Sequence, residues 1–410
     1  MADDLQELNV EHGPAVANED LPVVAVVIVN CDGRQMLGTC LESLDASDYP
    51  ADKIQVVVVD NGSSDGSVPW LQRAWPDAVI VANDRNLGFT PACNQGAKAA
   101  GDVPLLAFLN NDVRVDRAWL RELVSPIVRG ECASTGAQML NPDGTKLDHA
   151  GGGTNFHGIA VAHGYQDPPG ADYDTPRRVL FACGGAMAIT REVFEELDGF
   201  DEDFFAYYDD LDIGWRTNLL GHEVHYVPKA ICRHDHSGTS RRFPPEQIRL
   251  LQVRNSLLCC LKAYDDDHLD RLLPSMLALA MRRMYVFARI DDDAEFRIEK
   301  AGKRETGKLA NWWRKLTKKQ RTWSIDRIAA GDFHGINDVL GRWDHWMQRR
   351  AEVQRTRKVD DETLFRLFLN PLWCIEGEQA YEQLQKGLLE RSGMLDVLSR
   401  HEYGLGDPFK

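Results

Sequence analysis

The sequence lacks any long apolar run. Its longest is the seven residues from Val23 to Val29, against the roughly 20 that a membrane-spanning helix needs, so an integral membrane protein is not expected. It also lacks cysteines in CxxC pairs. The nine cysteines are scattered at positions 31, 40, 93, 132, 183, 232, 259, 260 and 374, which argues against a zinc ribbon or a disulfide framework and for reduced thiols. Cations are the minority charge: 47 Lys and Arg stand against 63 Asp and Glu, a formal net charge of −16. Coating of nucleic acid by bulk charge is therefore excluded, and no nucleic-acid partner is expected. Neither GxGxxG nor GxxxxGK[ST] occurs, so a Rossmann dinucleotide site and a P-loop are both absent. The stretch up to Pro22 is acidic and has no apolar segment, unlike a signal peptide. A cytoplasmic location is expected, with peripheral contact at the inner face of a membrane as a variant of it.

What is present is the composition of a globular chain, 43% hydrophobic and 27% charged in 410 residues, long enough for about two to three domains. The spacing predicts a polar N-terminal tail over 1–20, an α/β domain over 21–245 and a helical C-terminal region over 246–410. Val23–Val29 and Ile54–Val59 are continuous β-branched runs, as in strands buried on both faces of a parallel sheet. Ala78–Val81 and Pro104–Leu109 read as third and fourth strands, with helices at 34–46, 68–74 and 91–100 between them. That alternation predicts βαβ units in a doubly wound sheet, where ligands bind beyond the carboxyl ends of the strands.

Polar residues collect at that edge. Strand 1 runs into Asn30-Cys31-Asp32-Gly33 and strand 2 into Asp60. A carboxylate at a strand end accepts a hydrogen bond from the N3–H of uracil or thymine, though a turn or N-cap aspartate gives the same local pattern. Asn110, Asn111 and Asp112 follow strand 4. Such oxygen ligands suit Mg²⁺ or Mn²⁺ bridging to a diphosphate, and the three residues make an equally good turn. In Phe204–Arg216, the pattern of Leu211, Trp215, Leu219 and Leu220 predicts a helix closed by Gly221, with Asp209 and Asp210 in its first turn. The free N–H groups and the helix dipole there favour ionised carboxylates, as a general base requires; ordinary helix capping is the plainer explanation. His234 and His236, two residues apart on a polar segment, are candidate metal ligands.

Together these segments resemble the family 2 glycosyltransferases of the GT-A nucleotide-diphospho-sugar fold, and within them the rhamnosyltransferase-like and galactofuranosyltransferase-like branch. The likeness covers about residues 22–262 and rests on order and spacing: VVIVNCDG (26–33), VVVVDNGSSDGS (56–67), NLGFTPACNQG (86–96), FLNNDV (108–113), CGGAM (183–187), GFDEDFFAYYDDLDIGWR (199–216), HDHSGTS (234–240) and VRN (253–255). The resemblance implies that Asp60 binds the base of the donor, with Asn30 and Asp32 at the neighbouring strand end. It puts Asn110 and Asn111 toward the ribose and diphosphate, and Asn86, Gly88, Asn94, Gly184 and Gly185 around the donor pocket. Asp112 would hold the metal with His234, His236 being the alternative. Asp210 would be the base that deprotonates the acceptor hydroxyl, with Asp209 beside it. The family's DxD stands here as Asn110-Asn111-Asp112, a single carboxylate.

The reaction implied is metal-dependent, inverting transfer of a sugar from a nucleotide-diphosphate donor, UDP- or dTDP-linked with rhamnose as the branch preference, to a glycan or lipid-linked acceptor. Nucleotidyl transfer on the same sheet would need a basic loop after strand 1, and CDGRQMLGT holds only Arg34. An inactive scaffold that binds a nucleotide sugar or glycan is the alternative outside catalysis. In the helical region, residues 297–327 concentrate cations around Trp312, Trp313 and Trp323. Such a stretch fits contact with an anionic membrane surface, or pairing with an acidic patch of the same molecule or of a second subunit in a homo-oligomer.

Overall fold

A computed structural model describes residues 8–235, 243–288, 327–375 and 377–400. Its centre is β1 (Val24–Asn30), whose apolar run is buried on both faces. This strand pairs in parallel with β2 (Ile54–Asn61) on one side and β4 (Leu105–Asn110) on the other, and β3 (Val79–Asn83) extends β2 in parallel. The four predicted strands thus lie side by side, and β1, β2 and β4 end in Asn30, Asn61 and Asn110 along one edge.

Beyond β4 the sheet becomes mixed. β11 (Ala186–Thr190) runs antiparallel between β4 and β6 (Ser134–Leu140), and β12 (Val224–His234) lies parallel to β6. The order is β10-β12-β6-β11-β4-β1-β2-β3, with β10 at Arg177–Val179. Two short strands finish the site edge. β5 (Val113–Val115) pairs with the end of β12, and β7 (Leu147–His149) pairs with β6. A separate hairpin, β8 (Gly152–Thr154) with β9 (Ala160–Ala162), stands beside them.

On one face of the sheet, α1 (Arg34–Asp45) and α4 (Trp119–Val128) bury Leu37, Leu41, Trp119 and Leu123; α2 (Ser67–Ala74) adds Leu71. On the other, α3 (Phe89–Ala99) and α5 (Arg191–Glu196) bury Cys93, Ala97 and Phe194. The helix predicted to carry the two acids is α6 (Asp209–Leu219). Its Ile213 joins the sheet-side core, while Leu211, Trp215 and Leu219 join a second core made with the helical region. That region comprises α7 (Pro245–Ala263), α8 (Asp266–Phe287), α9 (Arg327–Gly341), α10 (Trp343–Thr356), α11 (Asp361–Phe365), α12 (Gln379–Ser392) and α13 (Met394–Arg400). One apolar cluster runs from Phe156 through Trp215 to Leu398, so the helices share a core with α6.

The predicted N-terminal tail needs correction. Residues 8–20 lie against the sheet: Asn9 forms an antiparallel bridge with Arg177, the Val10 N–H donates to the Pro176 carbonyl at 3.0 Å, and Arg129 donates to the Pro14 carbonyl at 2.6 Å. The basic stretch 297–327, apart from Arg327, lies outside the described residues. Among those described, no helix is long and apolar enough to cross a membrane.

Candidate active site

The strand ends open into a cleft of about 550 Å³, within the ~300–1,000 Å³ usual for small-molecule sites. Its walls come from β4 and the residues after it, the Gly184–Gly185 loop before β11, the end of β12, and the segment that leads into α6. Of the residues singled out in the sequence, it brings together Asn86, Asn110, Asn111, Asp112, Gly184, Gly185, Asp209, Asp210 and His234.

Asp112 and His234 meet because β5 pairs with β12 in a register that sets Val113 opposite His234. The Asp235 N–H donates to the Asp112 carbonyl at 3.0 Å, fastening the two chain segments. The His234 Nε2 lies 3.3 Å from Asp112 Oδ1, and its Nδ1 lies 2.8 Å from Asp148 Oδ2. Burial alone would lower the imidazole pKa, but hydrogen bonds to the two carboxylates outweigh it and push it up to about 9. The donor set fits a divalent cation. Two ligands at about 2.1 Å and a right angle lie about 3 Å apart, close to the Asp112–His234 separation, and a carboxylate on the far ring nitrogen is how metal-binding histidines are usually oriented. Asp148 was not singled out in the sequence. Nothing in LDHAGG marks it; only the ladder β7–β6–β12 brings it to His234.

Opposite stand the two acids. Asp209 opens α6 and Asp210 follows, both in the predicted first turn. Burial pushes the Asp209 carboxyl well above the usual range, and the neighbouring Asp210 charge pushes it the same way. Burial also raises Asp210, to about 6, against the pull of the Leu211 and Gly184 N–H groups. The Leu211 N–H donates to Asp210 Oδ1 at 2.9 Å. The expectation that the helix start alone keeps these carboxylates ionised is thus corrected, because desolvation is the larger effect. Burial thus raises both carboxyls, and lying side by side they titrate as one system.

Apart from Asn86, which lines the cleft, the other predicted residues stand behind the wall or elsewhere. Asp60 is buried; its Oδ2 accepts from Asn30 Nδ2 at 3.0 Å and its Oδ1 from the Ser63 N–H at 2.9 Å. Asn30, fully buried, passes the chain on, its Oδ1 accepting from Asn111 Nδ2 at 2.7 Å. Asp60 and Asn30 are thus linked to the cleft through Asn111. Asp32, at φ 50°, accepts from the Ser64 N–H at 2.6 Å and lines a separate surface hollow with Gly33 and Trp70. Asn86 Oδ1 accepts from Asn61 at 3.0 Å and from the Gly88 N–H at 2.9 Å. Gly88, at φ 106°, lies where a Cβ would strike Phe205. Asn94 is a correction. Its amide donates to the Phe200 carbonyl at 2.9 Å and accepts from the Phe200 N–H at 3.0 Å, so it ties α3 to the 199–202 loop and faces a different cavity. His236 lies outside the described residues.

The aromatic residues directly before the acids, Phe205, Tyr207 and Tyr208, which exceed what a helix cap needs, form a wall of the cleft. A second group with metal-ligating atoms, Asp265, His268 and Asp361, does not line the cleft. Asp265 caps α8 by accepting from the His268 N–H, and Asp361 is paired with Arg357 and His268. A helix cap and its counter-ions account for that group.

Comparison with known proteins bears on this geometry. Residues 24–198 match the sequence model of glycosyl transferase family 2. The chain is 34% identical over 231 residues to the O-antigen biosynthesis protein RfbC of Myxococcus xanthus, an alignment that covers 54% of this chain and 18% of that protein. It is 26% identical over 252 residues to the N-acetylglucosaminyl-diphospho-decaprenol L-rhamnosyltransferase of Mycobacterium tuberculosis, covering 55% of this chain and 80% of that one. Among solved structures, GalNAc-T7 with UDP, GalNAc and Mn²⁺ superposes with a TM-score of 0.51 at 19% identity, over 65% of this chain and 51% of that one. The shared fold is the GT-A α/β fold that the sequence led us to expect, followed here by a helical region.

Proposed function

From the match of residues 24–198 to the glycosyl transferase family 2 model, we propose that this chain is an inverting glycosyltransferase that moves a sugar from a nucleotide-diphosphate donor to an acceptor hydroxyl. The observation that carries the reading is the placement in one cleft of Asp112 beside His234, 3.3 Å apart, and of the buried acid Asp210 at the start of α6. Inversion needs one base and no nucleophilic carboxylate. Asp210 takes the acceptor proton as the acceptor oxygen attacks from the side opposite the departing diphosphate. Asp209, whose carboxyl burial likewise pushes upward, stands beside that base. Asn110 and Asn111 offer amide N–H groups toward the donor, and Asp112 with His234 would hold Mg²⁺ or Mn²⁺. That cation would supply charge neutralisation at the leaving diphosphate.

The names of the relatives, O-antigen biosynthesis and rhamnosyl transfer to a diphospho-decaprenol carrier, favour a dTDP- or UDP-linked donor, with rhamnose first among sugars, and a glycan or lipid-linked acceptor. Assembly of an envelope polysaccharide at the inner face of a membrane is the setting this reading suggests. Peripheral contact through 297–327 and a homo-oligomer belong to the same proposal.

The test is a thermal-shift panel of nucleoside diphosphates with and without Mn²⁺, followed by transfer assays with the donors that bind. A true ligand at 100 times its Kd stabilises by about 2.7 kcal/mol. Asp112→Ala should abolish the metal-dependent part of the shift. Absence of any shift, or full transfer in excess EDTA, overturns the metal assignment; absence of transfer from every donor that binds overturns the enzyme.

A further inference from the structure

The segment that ends in the two acids is conformationally expensive. Phe205, Tyr207 and Tyr208 have φ of 64°, 68° and 64°, a region that L side chains rarely adopt and that surrounding contacts must hold in place. A backbone folded in this way points its carbonyls irregularly, so neighbouring groups must satisfy them. They do so one by one. Asn255, fully buried on α7, donates through its amide to the carbonyls of Phe204 at 3.1 Å, Ala206 at 2.9 Å and Tyr207 at 2.7 Å. Arg254 beside it donates to the carbonyls of Asp203 at 2.7 Å and Phe204 at 3.1 Å, and its Nε holds the Asn255 Oδ1 at 2.9 Å, which fixes the amide's orientation. The Phe205 carbonyl accepts from the Phe89 and Thr90 N–H groups at the start of α3, at 2.6 and 3.3 Å. The Cys259 thiol, one turn further along α7, lies 3.6 Å from the Tyr208 carbonyl. The same segment supplies Phe205, Ala206, Tyr207 and Tyr208 to the cleft wall and then becomes the first turn of α6.

We infer that Arg254 and Asn255 are positioning residues for the acceptor side of the cleft: they hold the 203–208 segment, with Phe205, Tyr207 and Tyr208 at positive φ, and so set where Asp210 stands. The inference rests on the transferase reading. It adds that the helical region belongs to the transfer machinery, because the two residues that aim the base lie on its first helix. The donor side, built on strand ladders, does not depend on them.

The test compares Asn255→Asp, which keeps shape but sets a carboxylate against three carbonyls, with Arg254→Lys and with Leu258→Ala, a core variant on the same helix that leaves the segment's hydrogen bonds alone. A displacement of about 1 Å at a reacting group costs on the order of 10²-fold in rate. Asn255→Asp should therefore lower kcat about 100-fold, and Arg254→Lys about tenfold, with the KM for the donor changed less than threefold. Amide exchange in residues 203–211 should quicken at least tenfold in Asn255→Asp, a readout that needs no activity. Leu258→Ala should lower Tm with kcat near that of the unaltered protein. The inference is overturned if exchange in 203–211 is unchanged, if Leu258→Ala lowers kcat as much, or if donor KM rises in step with the loss of kcat. If the unaltered protein transfers no sugar, the transferase reading falls and this inference with it; if it transfers and Asn255→Asp transfers equally well, only this inference falls.

Discussion

The two walls of the cleft are made in different ways. The cation-ready wall is a product of sheet register: His234 stands opposite Val113 because β12 and β5 pair there, and Asp148 arrives because β7 and β12 flank β6. The wall that carries Asp209 and Asp210 has no ladder. It is a stretch with three aromatic residues at positive φ whose carbonyls are caught by two side chains of α7 and by the start of α3. A ladder spreads its hold over many cooperative backbone bonds, whereas this wall depends on a few side-chain bonds, each worth about 1 kcal/mol. The lesson is that one enzyme surface can be fixed by topology and the facing one by individual residues, and that the second is where small changes should tell.

The sharpest way to break this contrast is at the base itself. Asp210→Asn keeps the shape and removes the proton acceptor, so turnover should fall about 10²–10⁴-fold while calorimetry shows donor binding unaltered; if Asp209→Asn has that effect instead, the base is one residue earlier. The same Asp210→Asn should raise Tm at neutral pH. A carboxyl whose pKa rises on folding, here from 3.8 to about 6, binds its proton in the native state at pH values where the unfolded chain has lost it. Stability therefore falls as pH rises through that window, and the amide escapes the loss.

Next in size is the opposite wall. Asp148→Asn should weaken Mn²⁺ binding about 10–100-fold, the usual consequence of removing an orienting carboxylate, measured by metal titration without donor. If affinity is unchanged, His234 is held by the ladder alone. A smaller effect is expected from acidity: between pH 8 and 6 the rate should hold, and below about pH 6 it should fall tenfold per unit as Asp210 takes up its proton. A profile flat to pH 5 would remove Asp210 as the titrating base. The least effect belongs to Asn94→Ala. Loss of its bonds to Phe200 should cost about 1–3 kcal/mol of stability, read as a lower denaturation midpoint, with donor affinity retained; a loss of donor affinity would return Asn94 to the pocket.

What could be read in the sequence was whatever is local. The apolar runs of β1, β2 and β4 suit a buried sheet, and the Leu211-Trp215-Leu219 spacing puts Asp209 and Asp210 in a first turn. What could not be read was distance across the chain. Asp112 and His234 are 122 positions apart (234 − 112), and the histidine's second partner, Asp148, carries no local mark. Likewise, nothing in NQG distinguishes an asparagine that lines a pocket from one that ties down a loop, and Asn94 does the latter. The polar, Gly- and Pro-containing start of the chain read as a tail because its hydrogen-bond partners, Pro176, Arg129 and Ser125, are more than a hundred residues away.

That start of the chain has a consequence of its own. β10 is the outermost strand of the large sheet, and beyond it the ladder would be open to a strand from any other molecule. The Asn9–Arg177 bridge and the Val10 N–H bond to Pro176 occupy part of that free margin with the protein's own backbone. Pro14 follows within four residues of Val10 and has no N–H to continue a ladder. The margin is thus occupied by a stretch that does not itself offer a long new template. A chain cut back beyond residue 13 should consequently show its defect less in sugar transfer than in solution behaviour, as concentration-dependent self-association through the bared strand.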